Sequence, residues 1–295
     1  MDTVPQPNIL RVIPPLCRAL YLSLRPGAAA AAAAALERLR DAFVPDEGIA
    51  GIGEPLARAL GANVPGLRTF PALSGSGVAI PSTQHALWVQ LHGDDRGVLF
   101  DREVAVTALL AEAFVVSDAI MLFRYRDFRD LSGYEDGTEN PKDEAAIAAA
   151  IVAPAAPLAG SSFVAVQRWV HDLARFRQMS TRERDVAMGR DIHSNEELED
   201  VPETAHVKRT AQESYDPPAF MVRRSMPWAT AHEHGLEFVA YGESLDRYER
   251  VLHRMIGLDD GELDGLFTFS RPVSGGYYWC PPVSAGRLDL RAVGV

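Results

Sequence analysis

Cysteine is almost missing from this chain: there are two in 295 residues, Cys17 and Cys280, near opposite ends. That excludes a disulfide framework and a CxxC metal pair, and it fits a reducing compartment. Cations are also in deficit. There are 29 Lys+Arg against 40 Asp+Glu, for a net charge of −11 and an isoelectric point near 5.2. A nucleic-acid surface needs clustered cations, and none is visible, so no nucleic-acid partner is expected. An uninterrupted apolar span is lacking too. The 23 residues from 145 to 167 carry no charge, but they are mostly Ala and are broken by Pro154, Pro157, Gly160, Ser161 and Ser162. Helix end, loop and strand is the expected reading, with no membrane partner. The N-terminal stretch has an acid at Asp2 and early prolines where a secretory signal needs a basic start and an apolar run, so a cytoplasmic protein is expected.

Several chemical signatures are absent as well. GSGVAI at 75–80 falls short of a dinucleotide-binding glycine pattern, and neither GxSxG nor a P-loop occurs. His232-Glu233-His234 lacks the second zinc-protease histidine, because position 236 is Leu236. Residues 258–264 lack the alternation and terminal Glu of a calcium loop.

What remains is an ordinary globular composition, 47% hydrophobic and 23% charged. Eight consecutive alanines run into a charged amphipathic turn over 28–43, which predicts a helix. Alternation and bulk predict strands at 19–24, 86–91, 119–125, 162–171 and 236–242. Helices are expected at 104–114, 180–188 and 245–256, with Ser180 and Ser244 as N-caps, and a short element ends near Phe269. Two α+β modules follow, spanning 1–130 and 161–295. A connector at 131–160 is rich at its start in Gly, Asp, Asn and Pro, although no repeat relates the halves.

In that connector, Gly133-Tyr134-Glu135-Asp136-Gly137-Thr138-Glu139-Asn140-Pro141 reads on its own as turn chemistry. His206, alone between Ala205 and Val207, reads on its own as a core histidine more readily than as a ligand, since metal sites usually show clustered ligands. A salt bridge closing the two halves is the plain reading of Asp136 with Arg223.

Taken together with residues 166–172 (VQRWVHD), Gly189-Arg190, Ala205-His206-Val207, residues 222–227 (VRRSMP) and residues 269–278 (FSRPVSGGYY), the connector motif resembles the dye-decolourising peroxidases, in the order and spacing of the bacterial B-type subgroup. The resemblance runs from about Pro5 to Pro282 and is strongest from residue 133. It implies an α+β fold of duplicated ferredoxin-like modules with antiparallel sheets and haem b in the C-terminal half. It also implies His206 as axial iron ligand, Asp136 as distal acid and Arg223 as distal arginine. Asp264 would orient His206, Arg190 would face a haem propionate, Gly137 and Thr138 would border the cofactor, and Ser225 stands where some members have Asn. The implied activity is oxidation of aromatic donors and dyes by hydrogen peroxide, in one-electron steps through a ferryl intermediate and best in acid. The rival reading is a haem-binding or haem-processing protein with incidental peroxidase activity. A homo-oligomer is expected. Packing as cargo in a protein nanocompartment ranks low, since only thirteen residues follow Pro282.

Overall fold

Strand order carries the architecture. In the computed structural model, which describes residues 3–295, the first half runs β1 (Leu16–Leu24), α1 (Ala29–Ala42), β2 (Gly48–Gly53), α2 (Glu54–Ala59), a hairpin of β3 (Leu73–Gly75) and β4 (Val78–Ile80), β5 (Leu87–Gly93), α3 (Arg96–Leu110) and β6 (Phe114–Phe123). After α4 (Asp143–Ala150), the second half runs β7 (Ser162–His171), α5 (Leu173–Gln178), α6 (Thr181–Met188), α7 (His206–Arg209), β8 (Val222–Arg223), β9 (Met226–Ala229), β10 (His234–Gly242), α8 (Asp246–Met255), β11 (Ser270–Pro272) and β12 (Gly276–Cys280). Met1 and Asp2, including the acid used against a secretory signal, lie outside the described residues.

The first half pairs in the order β2-β5-β1-β6 and the second in the order β9-β10-β7-β12, all antiparallel. Both are the second-third-first-fourth order of a ferredoxin-like unit, so the expected duplication is borne out by topology where no residue repeat revealed it. The halves also meet at both edges. β12 pairs with β2 at Tyr278↔Gly53 and Trp279↔Ile52, and β6 meets β9 at Leu122↔Trp228. The eight strands thus form a closed ring.

Alternate residues along these strands feed two cores, as a period of two requires. Leu20, Leu22, Val89, Ala165 and Trp279 belong to the cluster under the helices. Cys17, Ala19, Trp88, Val166, Val239, Tyr241 and Tyr278 belong to the cluster inside the ring. Both cysteines are free and buried there, and burial pushes both thiols up, which makes them inert. β2, whose sequence GIAGIG reads as a loop, is a fully buried strand because its glycines let neighbours close in. A Cβ on Gly51 would lie 2.8 Å from the Cβ of Tyr278.

Other boundaries differ for local reasons. α3 begins at Arg96 and not at 104, since the Asp95 carboxylate caps the amides of Gly97 and Val98, and Phe114 opens β6. Ser180 caps α6 in a full capping box, as expected. Ser244 does not cap α8. Leu245 holds that position without a side-chain bond, and Arg68 fastens the first turn by bridging Asp246 and Glu249. The charge-free run resolves into the end of α4, a loop and β7.

One charged cluster sits inside the ring. Glu237 is fully buried, accepts a hydrogen bond from the Tyr21 hydroxyl and lies 3.4 Å from Nε of Arg168. Arg168 gives its closer contact, 2.6 Å, to Asp118. Burial therefore prevails and pushes the Glu237 carboxyl from its ordinary 4.5 up to about 8. The folded protein keeps this proton in a range where the unfolded chain has released it, so folding stability falls as pH rises from about 4.5 to about 8. Thermal unfolding of wild type and Glu237→Gln across that window tests this. The variant should have a flatter decline, and equal slopes would acquit Glu237.

Candidate active site

β7 and β10 turn one face toward α8, and the gap between them forms the main cavity. Gln167, Trp169, Leu236 and Phe238 line it from the strands, and Tyr248, Val251 and Met255 line it from the helix. The cleft contains about 1510 Å³ of empty space, counting the part open to solvent. Its strand wall is braced where the Tyr248 hydroxyl donates to Oε1 of Gln167.

His206 opens the single turn of α7 and lines this cavity. Its Nδ1 is 2.8 Å from Oδ2 of Asp264, whose side chain is fully buried. The other carboxylate oxygen of Asp264 accepts from the amide of Leu266 at 2.8 Å, and the amide of Gly265 donates to the Thr204 carbonyl at 2.7 Å. The acid is thus fixed at both oxygens, and its contact with Nδ1 leaves Nε2 of His206 as the ring nitrogen free for a ligand. Arg209 braces the turn from behind. It bonds both oxygens of Asp260 at 2.6 and 2.8 Å and the carbonyls of Arg254 and Glu262, and its guanidinium holds the Asp260 carboxyl down at about 2.

The connector motif is no spacer. Residues 130–139 wall the same cavity, bringing Asp136, Gly137 and Thr138 onto it with Arg190 and Arg223. Gly137 has φ +76°, a conformation that favours glycine, and Thr138 receives a bond from Asn195 at 3.0 Å. Among the described residues no ion pair joins Asp136 to Arg223, and the buried Nε of Arg223 has no partner. A closing salt bridge is therefore not what these two residues form. Arg190 is already committed, to Glu139 at 2.7 Å and Glu197 at 2.5 Å. Ser225 is not brought onto the main cavity. It borders a separate space of about 220 Å³, measured the same way, that also touches Asp136, and its hydroxyl is 3.4 Å from the amide of Val239.

Sequence reasoning missed the brace of this loop. His171, at the end of β7, bonds Asp130 through Nε2 at 3.0 Å and Ser270 through Nδ1 at 2.7 Å. Burial alone would raise the Asp130 carboxyl, but interaction with His171 and hydrogen bonds from His171 and Ser132 hold it at about 2. Tyr134 donates to Asp185 at 2.5 Å, and burial followed by that bond raises its phenol far above the ordinary range. These partners are 41 and 51 residues apart, so only a motif spanning both positions could have signalled them. Among the described residues no cluster of three His, Cys, Asp or Glu could hold a metal, and no helix is long and apolar enough to cross a membrane. A metal at His206 would need its remaining ligands from a bound group.

Fold and cavity together define a duplicated ferredoxin-like protein with one carboxylate-oriented histidine facing a large, mostly apolar cleft. A family model described as Dyp-type peroxidase, C-terminal, matches residues 127–285. A dye-decolorizing peroxidase of Mycolicibacterium paratuberculosis is 31% identical over 74% of this chain, a match that takes in 63% of that relative's length. The chain belongs to the dye-decolorizing peroxidase family. Among solved structures, a dye-decolorizing protein from V. cholerae superposes with a TM-score of 0.82 at 29% identity, over 92% of this chain and 95% of its own. A variant of DypB from Rhodococcus jostii in complex with heme gives 0.83 at 25% identity, over 94% and 96%.

Proposed function

We propose that this protein is a haem-dependent peroxidase that uses hydrogen peroxide to oxidise aromatic donors and dyes in one-electron steps. The observation that carries the reading is the pair His206–Asp264 on a cavity that also presents Asp136 and the unpartnered guanidinium of Arg223. The residues suit haem b. Trp169, Leu236, Phe238, Val251, Met255 and Met221 offer apolar walls to a flat macrocycle, and a single imidazole is what such a group requires from the chain. Arg190 could meet a propionate only in competition with Glu139 and Glu197, so Lys208 at the same cavity is the freer cation for that edge, its own ion pair with Glu203 being an exposed one.

When bound, haem supplies the two-electron chemistry that cleaves the O–O bond. The chain does the rest. Asp264 accepts from Nδ1 of His206 and raises the donor strength of Nε2. Asp136 would accept the first peroxide proton and return it to the leaving oxygen, and Arg223 would stabilise the negative charge that develops there. An absorption spectrum of the haem-loaded protein before and after one equivalent of peroxide tests the reading. The Soret band should shift and return on adding a phenol. A band that never moves would leave a haem carrier. Dye oxidation should be fastest in acid, within one or two units of the ordinary carboxyl value of about 4. Asp136→Asn should alter that pH profile while haem content stays at the wild-type level. Superimposable profiles would remove Asp136 from proton transfer.

A further inference from the structure

β8 is the outer edge of its sheet: Val222 and Arg223 pair with Tyr241 and Ala240 on one side only. On an antiparallel edge strand every second residue turns both its amide and its carbonyl outward, where they need water or another partner, and Arg223 is one of these. The side chain of Asn140 supplies one. Its Oδ1 accepts from the amide of Arg223 at 2.8 Å and its Nδ2 donates to the Arg223 carbonyl at 2.9 Å, so one amide group stands in for a neighbouring strand. Asn140 also closes the turn that follows Asp136, donating its own amide to the Gly137 carbonyl at 3.0 Å. Gly137 leaves room for this, since a Cβ there would lie 2.8 Å from Nδ2 of Asn140.

The two residues in question reach the cavity from segments 87 positions apart, 223 against 136. Among the described residues no other hydrogen bond joins the backbone of Arg223 to the connector loop. Among the described residues no ion pair holds the guanidinium, and its buried Nε is unpartnered. Its placement must therefore come from its backbone.

We propose that Asn140 is a positioning residue that fixes the backbone of Arg223 against the loop bearing Asp136, and so sets the geometry between the two. This rests on the proposed function for its catalytic consequence but not for its structural one. An asparagine is the suitable side chain because it carries one donor and one acceptor on a short stem. Aspartate has the same shape, yet offers the Arg223 carbonyl a hydrogen only while protonated.

The test uses the haem-loaded protein. Asn140→Ala should lower the bimolecular rate of the peroxide step roughly tenfold, the scale of a small misplacement at a reacting centre, with haem content unchanged. In an Arg223→Leu background the same change should cost less than about twofold, because non-additivity marks a residue that acts through another. Asn140→Asp should approach wild type only at about pH 3 and below and fall toward the Ala variant near pH 7, as its new carboxyl, ordinarily about 4, ionises. Peptide-resolved hydrogen exchange over residues 219–226 is the readout that needs no activity. One further amide should exchange roughly tenfold faster in Asn140→Ala. A wild-type rate in Asn140→Ala, or an equal loss with and without Arg223, would overturn the positioning role. Unchanged exchange would overturn the clamp itself. If wild type shows no peroxide step, the functional reading fails and the exchange result still decides the clamp. Should Asn140→Ala fail to fold, the pH dependence of Asn140→Asp decides it.

Discussion

His206→Ala is expected to emerge from purification with almost no haem. The cavity then keeps its apolar walls but loses the one imidazole whose Nδ1 is held by a buried acid. Among the described residues no second cluster of ligands stands by to replace it. Removing an outer partner of a ligand costs 10–100-fold in affinity as a rule, so removing the ligand itself should cost about a hundredfold or more, and Asp264→Ala should fall between that variant and wild type. Pigment per protein and titration with haem measure both. Free imidazole added to His206→Ala should restore part of the wild-type spectrum, since the cleft is unchanged around the vacated side chain. Full haem with unchanged bands in His206→Ala would make the axial assignment wrong.

Arg223→Leu should bind haem normally and react with peroxide at least about tenfold more slowly, the loss of roughly 1.4 kcal/mol or more of charge stabilisation. Two features of the site sharpen this. The buried Nε has no partner, so the substitution removes an uncompensated polar group and does not strip a carboxylate of its cation. The melting temperature should accordingly hold or rise while the peroxide rate falls. A variant that loses stability and keeps its rate would return Arg223 to a structural role. Stopped-flow absorbance and calorimetry on the same preparation separate the two outcomes.

How much of this was legible beforehand depends on the range of the interaction. Ser162–His171 could be read because ten residues of near-continuous apolar bulk form one strand, and the capping box at Ser180 because it is contained in four residues. GIAGIG at 48–53 could not, since its strand character comes from Tyr278 and Trp88 packing onto glycines from elsewhere in the chain. His206, Asp136 and Arg223 were visible only through motif resemblance, and the resemblance could not say that Arg190 is occupied by two glutamates or that Ser225 faces away from the main cavity. Asp130–His171 and Asn140–Arg223 are products of tertiary contact, and the loop that carries Asp136 looked like a spacer for that reason. Charge made the same point inside the ring. Glu237 sits in a sequence stretch, Leu236-Glu237-Phe238, that looks like a half-exposed strand, and closure of the second sheet is what buries it.

Closure of the ring has a further result, for the protein before any cofactor arrives. A long unpaired strand is a template on which another chain can add, and sheet proteins must blunt such edges. Here the long strands have neighbours on both sides along at least part of their length, β6 meeting β9 only at Leu122↔Trp228, and the ends of the sheet are β11 and β8, three and two residues long. Asn140 occupies the outward groups of Arg223 on the second of these. Apart from the part of β6 that β9 leaves unpaired, an apo chain with an open, apolar cleft would offer little extended edge for amyloid-like growth. Any self-association it shows should proceed through side-chain surfaces, and should respond to salt and detergent without acquiring cross-β signal.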